Sequence, residues 1–172
     1  MLSIGSAAFA SDGELLSTFA ANLEPLPGAS GHPDTMAWWS EHPDAWAAVC
    51  TNRESPDVAM RRYEGWLSEL PTKPIFVGYP AGFDFTFVYW YLMRFVGSSP
   101  FGPVALDART FAMAVLGREY RECGLEEIAA EWLPDQPHTH VAVQDAIDQG
   151  QIFCALLRER MRSDRSQGGG DA

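Results

Sequence analysis

One histidine and two aspartates are the residues of this 172-residue chain whose types and spacing indicate chemistry. His140 stands before a predicted C-terminal helix, and Asp145 lies one turn inside it, five positions later. Asp84 follows a predicted strand and opens another helix. A carboxylate fixed on a helix can bind a metal ion, and an imidazole at a loop–helix junction can take a proton from water. The three residues therefore indicate metal-assisted hydrolysis.

Each of these residues also has an ordinary structural interpretation. His140 can be simply the residue at the start of a helix, and Asp145 a solvated acid. Asp84 can be the N-cap of the helix that it opens, since Asp is favoured at that position. Asp107 closes another predicted strand, and we interpret it as a cap outside any metal site.

The elements predicted around these residues are those of an α/β protein. An apolar stripe at intervals of three and four residues predicts the C-terminal helix, from Ala142 to Leu157. Six further helices are predicted, over or near His32–Trp39, Pro43–Cys50, Ser55–Leu70, Asp84–Phe95, Ala108–Leu116 and Leu125–Trp132. Strands are predicted at Leu2–Ala10, Leu15–Asn22, Ile75–Tyr79 and Val104–Leu106.

Length and composition predict one packed domain over residues 1–162, followed by a disordered tail at 163–172 that is rich in Arg, Ser and Gly. Cys50, Cys123 and Cys154 are far apart and odd in number, which argues against a disulfide framework and favours a reducing compartment. No signal peptide or membrane span is apparent. We therefore expect a cytoplasmic protein without a membrane partner.

The formal net charge of −11 restricts the ways in which the chain could bind nucleic acid. Phosphate contacts favour a basic surface, so tight, extended binding to long duplexes is not expected. An enzyme that grips only a terminus through divalent cations is compatible with this charge, because the ions supply the positive charge and the protein supplies carboxylates.

Aromatic residues near the first predicted helix are candidates for contact with a base. Thr35, Met36 and Trp39 could line a groove in which a base stacks on an aromatic ring. The alternative is that the adjacent Trp38 and Trp39 are both core residues, and the sequence does not decide between the two. Phe83, next to Asp84, is a further candidate for substrate contact.

Several stretches together resemble the DEDDh family of 3′–5′ exonucleases, which has a ribonuclease H-like fold. The resemblance rests on Gly82-Phe83-Asp84 after a strand and on the His140-x-Ala142-x-x-Asp145 pattern near the end of the chain. It extends over nearly the whole chain to about Met161. It implies an open mixed sheet flanked by helices, and 3′ ends of single-stranded RNA or DNA as partners. RNA versus DNA and the oligomeric state, including a homodimer, stay open.

The resemblance also implies roles for individual residues. Asp84 and Asp145 correspond to two of the family's metal-binding acids, and His140 to the general base. The family's chemistry uses two Mg²⁺ or Mn²⁺ ions, which can stabilise both the attacking and the leaving oxygen at phosphorus. Hydrolysis of phosphodiester bonds by two-metal catalysis is therefore the expected activity.

The first acidic motif of the family, an Asp-x-Glu on the first central strand, is missing from this sequence. Asp12 and Glu14 have the spacing but lie in a predicted hairpin turn after the strand at Leu2–Ala10. We expect a fold that lacks its first central strand, either because the sequence is truncated at its N-terminus or because the protein is a degenerate relative. A catalytically inactive nucleic-acid or protein-binding module on the same fold is the alternative function, and a Trp-rich surface that docks a partner is a third.

Overall fold

The computed structural model describes residues 1–133 and 140–168, with side chains up to residue 162. The described part is a mixed α/β structure, as the sequence predicts. Its strands are β1 (Ser3–Phe9), β2 (Leu15–Leu23), β3 (Arg53–Glu54), β4 (Val77–Gly78) and β5 (Leu106–Asp107). Its helices are α1 (Pro33–Glu41), α2 (Pro43–Cys50), α3 (Pro56–Ser68), α4 (Ala81–Phe95), α5 (Ala108–Leu116), α6 (Leu125–Trp132) and α7 (Ala142–Gly168), with a 3₁₀ turn at Tyr120–Glu122.

Local sequence signals set most helix boundaries. Pro33, Pro43 and Pro56 each occupy the first turn of a helix, where the missing N–H costs nothing. Ser55 caps α3 by accepting a hydrogen bond from the N–H of Val58. Gly117 ends α5 with φ of 63°, a left-handed conformation that glycine adopts without strain. The predicted positions of these helices are confirmed to within a few residues.

The strands are divided between two sheets. In the first sheet β1 pairs antiparallel with β2, which pairs parallel with β3, so β1 is an edge strand. In the second sheet β4 and β5 pair in parallel through only two residues each. The sequence predicts one open sheet, so this division differs from the expectation. The separation follows from what lies between β1 and β4, which is a cleft instead of a strand.

Two predicted strands are wrong in extent, and the first of them is also wrong in burial. Ile75–Tyr79 is predicted as a buried strand, but only Val77–Gly78 is extended in a sheet, and Ile75 is 75% exposed. Val104–Leu106 shifts to Leu106–Asp107, and Val104 is 68% exposed. Both errors in extent have one cause. An apolar run indicates a strand but not its length, and β4 and β5 have only each other as partners among the described residues.

Two apolar cores lie on the two sides of the cleft. The first joins β1 and β2 to α3 and α4, with Leu23, Met60 and Leu92 fully buried. The second joins α5, α6 and α7, with Ile128 and Leu156 fully buried. The three cysteines are free, as expected. No helix in the described ranges is long and apolar enough to cross a membrane.

Helix α7 lies directly on β1. A Cβ added to Gly5 would overlap the backbone of Ala142 and Val143, so main chain meets main chain there. Further along, Gly150 of α7 lies against the ring of Phe9. The backbone of α7 is helical to Gly168, whereas the sequence predicts a disordered tail from residue 163. Residues 169–172 of that tail lie outside the described ranges.

Replacing Gly5 with Ala should destabilise the protein. The new methyl group would have to push α7 away from β1, and overpacking of this kind costs about 1–3 kcal/mol. Gly65→Ala is the control, because Gly65 lies inside α3 with nothing within 4 Å of an added Cβ. That change should stabilise by about 0.5–1 kcal/mol through helix propensity. Urea unfolding followed by tryptophan fluorescence measures both, and an equally stable Gly5→Ala variant would contradict the close contact.

Candidate active site

A cleft lies between the two sheets, and Asp84 is the candidate residue that lines it. The cleft has a volume of about 420 Å³ and runs along the free edge of β1, from Gly5 to Ser11. Its opposite wall is formed by residues 70–79, including β4, and α7 closes it with Ala146, Gln149 and Gly150. The apolar stripe predicted for the C-terminal helix therefore faces this cleft and β1.

Asp84 lines the cleft from the first turn of α4. It is the fourth residue of that helix, whose N-cap is Pro80, so the interpretation of Asp84 as the N-cap is wrong. Burial raises the pKa of the Asp84 carboxyl group. A carboxylate in this position gains from a cation that binds to it, because the cation compensates for lost hydration.

Asp145 lies in the first turn of α7, with its Oδ1 atom buried. Its N–H donates to the carbonyl of Val141 at 3.0 Å, which extends the helical pattern back beyond Ala142. Ala146, the next residue, lines the same cleft as Asp84. Asp84 and the first turns of α7 therefore line one cleft, and convergence of Asp145 and His140 on it stays a prediction. Close approach of the two carboxylates stays a prediction.

His140 lies two positions before Ala142, the first residue of α7, and adopts a φ of 55°. A positive φ is uncommon for a residue other than glycine and costs of order 1 kcal/mol, so the surrounding contacts must hold it. The His140 ring contacts two aromatic rings of the α1–α2 corner, Trp38 at 4.9 Å and His42 at 4.7 Å between centroids. His138 and Thr139, part of the same predicted stretch, lie outside the described residues.

The four candidates for substrate contact lie at or near the surface. Thr35 is exposed, Met36 is 42% exposed, and Phe83 is 66% exposed. Trp39 is half-buried and packs against Trp38 and Trp46 at centroid distances of 4.8 and 5.4 Å. Since α1 buries none of its residues, neither Trp38 nor Trp39 belongs to a fully buried core. The role of the four candidates in substrate contact stays a prediction.

The metal-binding capacity of the described residues is limited. Among the side chains described in residues 1–133 and 140–162, no group of three or more His, Cys, Asp or Glu is arranged to hold a metal ion. Asp84 and Asp145 offer oxygen ligands of the type that Mg²⁺ and Mn²⁺ prefer. Two carboxylates do not fit a site for two ions, so further ligands are required for that chemistry.

Asp107 has a structural role that connects two helices. One carboxylate oxygen accepts from the backbone N–H and the hydroxyl of Thr110, both at 2.7 Å, which caps α5. The other oxygen accepts from the N–H of Ala81 at 2.8 Å, in the first turn of α4. Burial raises the pKa of Asp107, but these hydrogen bonds and the nearby Arg109 lower it more, so the net pKa is below its usual value. Capping of α5 is confirmed, whereas the bond to α4 was not foreseen.

Sequence reasoning missed the part played by His42. Its ring stacks on Trp38 with centroids 4.1 Å apart and also touches His140. A signal for the stacked pair was present, because residues four apart on a helix lie on one face. No signal in the sequence linked either residue to His140, which is distant along the chain.

Comparison with known proteins gives one informative similarity. No protein-family profile matches the chain. The chain is similar to the 3′–5′ DNA exonuclease Cap18 of Escherichia coli, with 30% identity over 115 residues. The alignment covers 64% of this chain and 62% of that protein, so the chain spans less than two thirds of the relative's length.

Asp107→Ala should destabilise the protein by about 1–2 kcal/mol at neutral pH, because it removes the cap of α5 and a hydrogen bond to α4. The pKa of Asp107 is lowered in the folded protein, so its contribution is present above the unfolded-state value of about 3.9. That contribution is lost as the pH falls through the lowered pKa. Urea titrations should therefore show that the difference in the free energy of unfolding between wild type and variant shrinks from pH 7 to pH 3. A difference that stays constant would contradict the role of the carboxylate.

Asp84→Asn should make the metal-free protein at least as stable as wild type at pH 7. The pKa of Asp84 is raised in the folded protein, so ionisation of its carboxyl group costs stability as the pH rises above about 3.9. The neutral amide removes that cost, so any gain in stability of the variant over wild type should vanish at lower pH. Thermal unfolding in a chelator measures this. Asp34→Asn is the control, because the Asp34 side chain is 94% exposed.

Proposed function

We propose that this chain is a 3′–5′ exonuclease that trims the 3′ ends of single-stranded DNA. The observation that carries the proposal is the shared cleft, which is lined both by Asp84 and by Ala146, the residue that follows Asp145. The similarity to a 3′–5′ DNA exonuclease over 115 residues supports the reaction and favours DNA over RNA. Binding of a single chain end requires fewer phosphate contacts than binding along an extended groove, which suits a protein with a net charge of −11.

In this proposal the residues of the chain have separate tasks. Asp84 and Asp145 would hold a divalent cation, which would supply positive charge to polarise the phosphate and to offset the repulsion between an acidic protein and DNA. His140 accepts a proton from the water that attacks phosphorus. Exposed Met36 and Phe83, with the half-buried Trp39, offer apolar and aromatic surface to the terminal bases.

The fold that we propose is ribonuclease H-like, with one strand to be added. The cleft exposes the free edge of β1 on one side and β4 on the other. An extended segment placed there would pair with β1, satisfy its backbone groups and join both sheets into one open mixed sheet. A strand bearing Asp-x-Glu in that position would also supply the carboxylates that a site for two ions requires.

The decisive assay compares two forms of the protein on a 5′-labelled single-stranded oligodeoxynucleotide in Mg²⁺ or Mn²⁺. Residues 1–172 alone should bind one ion weakly and trim slowly, because two carboxylates leave most of the metal shell to water. The same domain with an Asp-x-Glu strand supplied ahead of β1 should shorten the DNA stepwise from its 3′ end. In that form, Asp145→Asn should lower kcat by about 10²–10³-fold or more. His140→Ala should lower kcat about 10²-fold, with ion binding retained.

Asp148→Asn is the matched control, one turn along α7 from Asp145, where the Asp148 carboxylate accepts from Gln144 at 2.8 Å. It should leave trimming within about twofold of wild type. Full activity of residues 1–172 alone would show that the acids are misassigned. An extended form that binds DNA without cleaving it would replace the proposal with a catalytically inactive binding module.

A further inference from the structure

The surroundings of His140 include an ordered pair of rings. His42 and Trp38 are stacked, with centroids 4.1 Å apart and planes inclined by 22°. His140 is nearly perpendicular to both rings, at 88° to Trp38 and 79° to His42, and almost equally distant from their centroids. It therefore lies beside the stack and touches both of its members. We name Trp38 and His42 the aromatic dock.

A hydrogen bond fixes the ring of His42 within the dock. Its Nδ1 atom lies 2.8 Å from the carbonyl oxygen of Trp38. A carbonyl oxygen only accepts, so Nδ1 carries the hydrogen of this bond. This hydrogen bond joins the ring of His42 to the backbone of Trp38 in the last turn of α1. Stacking of the two rings is a second contact between the same residues. Their relative orientation is thereby determined by two independent contacts.

The dock is anchored to the body of the protein through α2. The side-chain amide of Asn22, in β2, donates to the carbonyl oxygens of Ala48 and Thr51 at 2.9 and 2.8 Å. The guanidinium of Arg53 donates to the carbonyl of Val49 at 3.0 Å. These bonds hold the C-terminal end of α2 against the first sheet, and His42 is the N-cap residue of that helix. The dock consequently has a fixed place relative to β1 and β2.

We propose that Trp38 and His42 are positioning residues for His140, holding its imidazole in the orientation that proton transfer requires. This inference rests on the proposed function, in which His140 is the general base. His140 precedes α7 on a backbone with positive φ. The rings of Trp38 and His42 contact its imidazole from the α1–α2 corner, and neither residue needs to touch the substrate.

The expected effect is on turnover rather than on binding. A general base acts only when it is within hydrogen-bond reach of the proton that it removes, and small misplacements can lower rates by one to two orders of magnitude. Substrate affinity depends on other surfaces, such as those around Met36 and Phe83. Loss of the dock should therefore lower kcat and leave KM nearly constant.

The test uses the form of the protein that has an Asp-x-Glu strand ahead of β1, together with four single variants of that form. Trp38→Leu and His42→Ala should each lower kcat about tenfold, with KM within about twofold. Trp38→Phe keeps an aromatic ring for His42 and His140 to contact, so it should retain most of the wild-type kcat. Trp90→Leu is the control, because Trp90 is a similarly exposed tryptophan on α4, 48% exposed.

A double-substitution experiment separates positioning from general damage to the fold. In a His140→Ala background, His42→Ala should cause no further loss of kcat, since the group that the dock positions is gone. A second loss of the same size would overturn the proposal and assign His42 a structural role. So would an unchanged or increased kcat in the single dock variants.

A measurement without turnover distinguishes failure of this proposal from failure of the proposed function. In protein with labelled histidines, NMR should show contacts between the protons of the Trp38 and His140 rings. Trp38→Leu should shift the His140 signals, and Trp90→Leu should leave them in place. Absence of those contacts in wild type would overturn the dock whatever the activity. Intact contacts in a protein that never trims DNA would refute the exonuclease reaction, and the positioning role with it.

Discussion

The contact of main chain with main chain at Gly5 determines how the rest of the site is arranged. Without a side chain at this position, the start of α7 lies directly on β1, against Ala142 and Val143. A second approach at Gly150 and Phe9 fixes the direction of the helix across the strand. Since Asp145 lies in the first turn of α7 and His140 just ahead of that helix, their positions relative to the first sheet follow from this contact. Interiors are packed densely enough that a single methyl group would disturb it.

The two cores explain why the cleft can exist beside so close a contact. One core holds β1, β2, α3 and α4 together, and the other holds α5, α6 and α7. Asp107 connects them at one point, because it caps α5 and also binds the first turn of α4. Asp84 lies in that turn, so a carboxylate with no chemical role fixes the place of one that we assign to metal binding. The pKa of Asp107 is lowered and that of Asp84 is raised, as their different surroundings require.

The helices could be predicted from sequence because their signals are local. Proline in the first turn, a capping Ser55 and the spacing of apolar residues each act within a few positions. The short strands at Val77 and Leu106 could not be placed in this way, since their length depends on partners elsewhere in the chain. For the same reason Asp84 and Asp145 could be proposed as candidate metal ligands from their positions on helices. The contact of His140 with Trp38 and His42 could not be predicted. It joins segments that no periodicity relates.

The meeting of β1 and α7 also sets an order of events for a chain leaving the ribosome. β1 is synthesised well before α7, the helix that covers one of its faces. At a synthesis rate of about 5–20 residues per second, the delay is on the order of ten seconds. During that interval Phe9 lacks the Gly150 surface against which it packs in the finished protein. The nascent chain therefore exposes part of its future interior to chaperones, and the cleft takes its final form only after translation has passed residue 150.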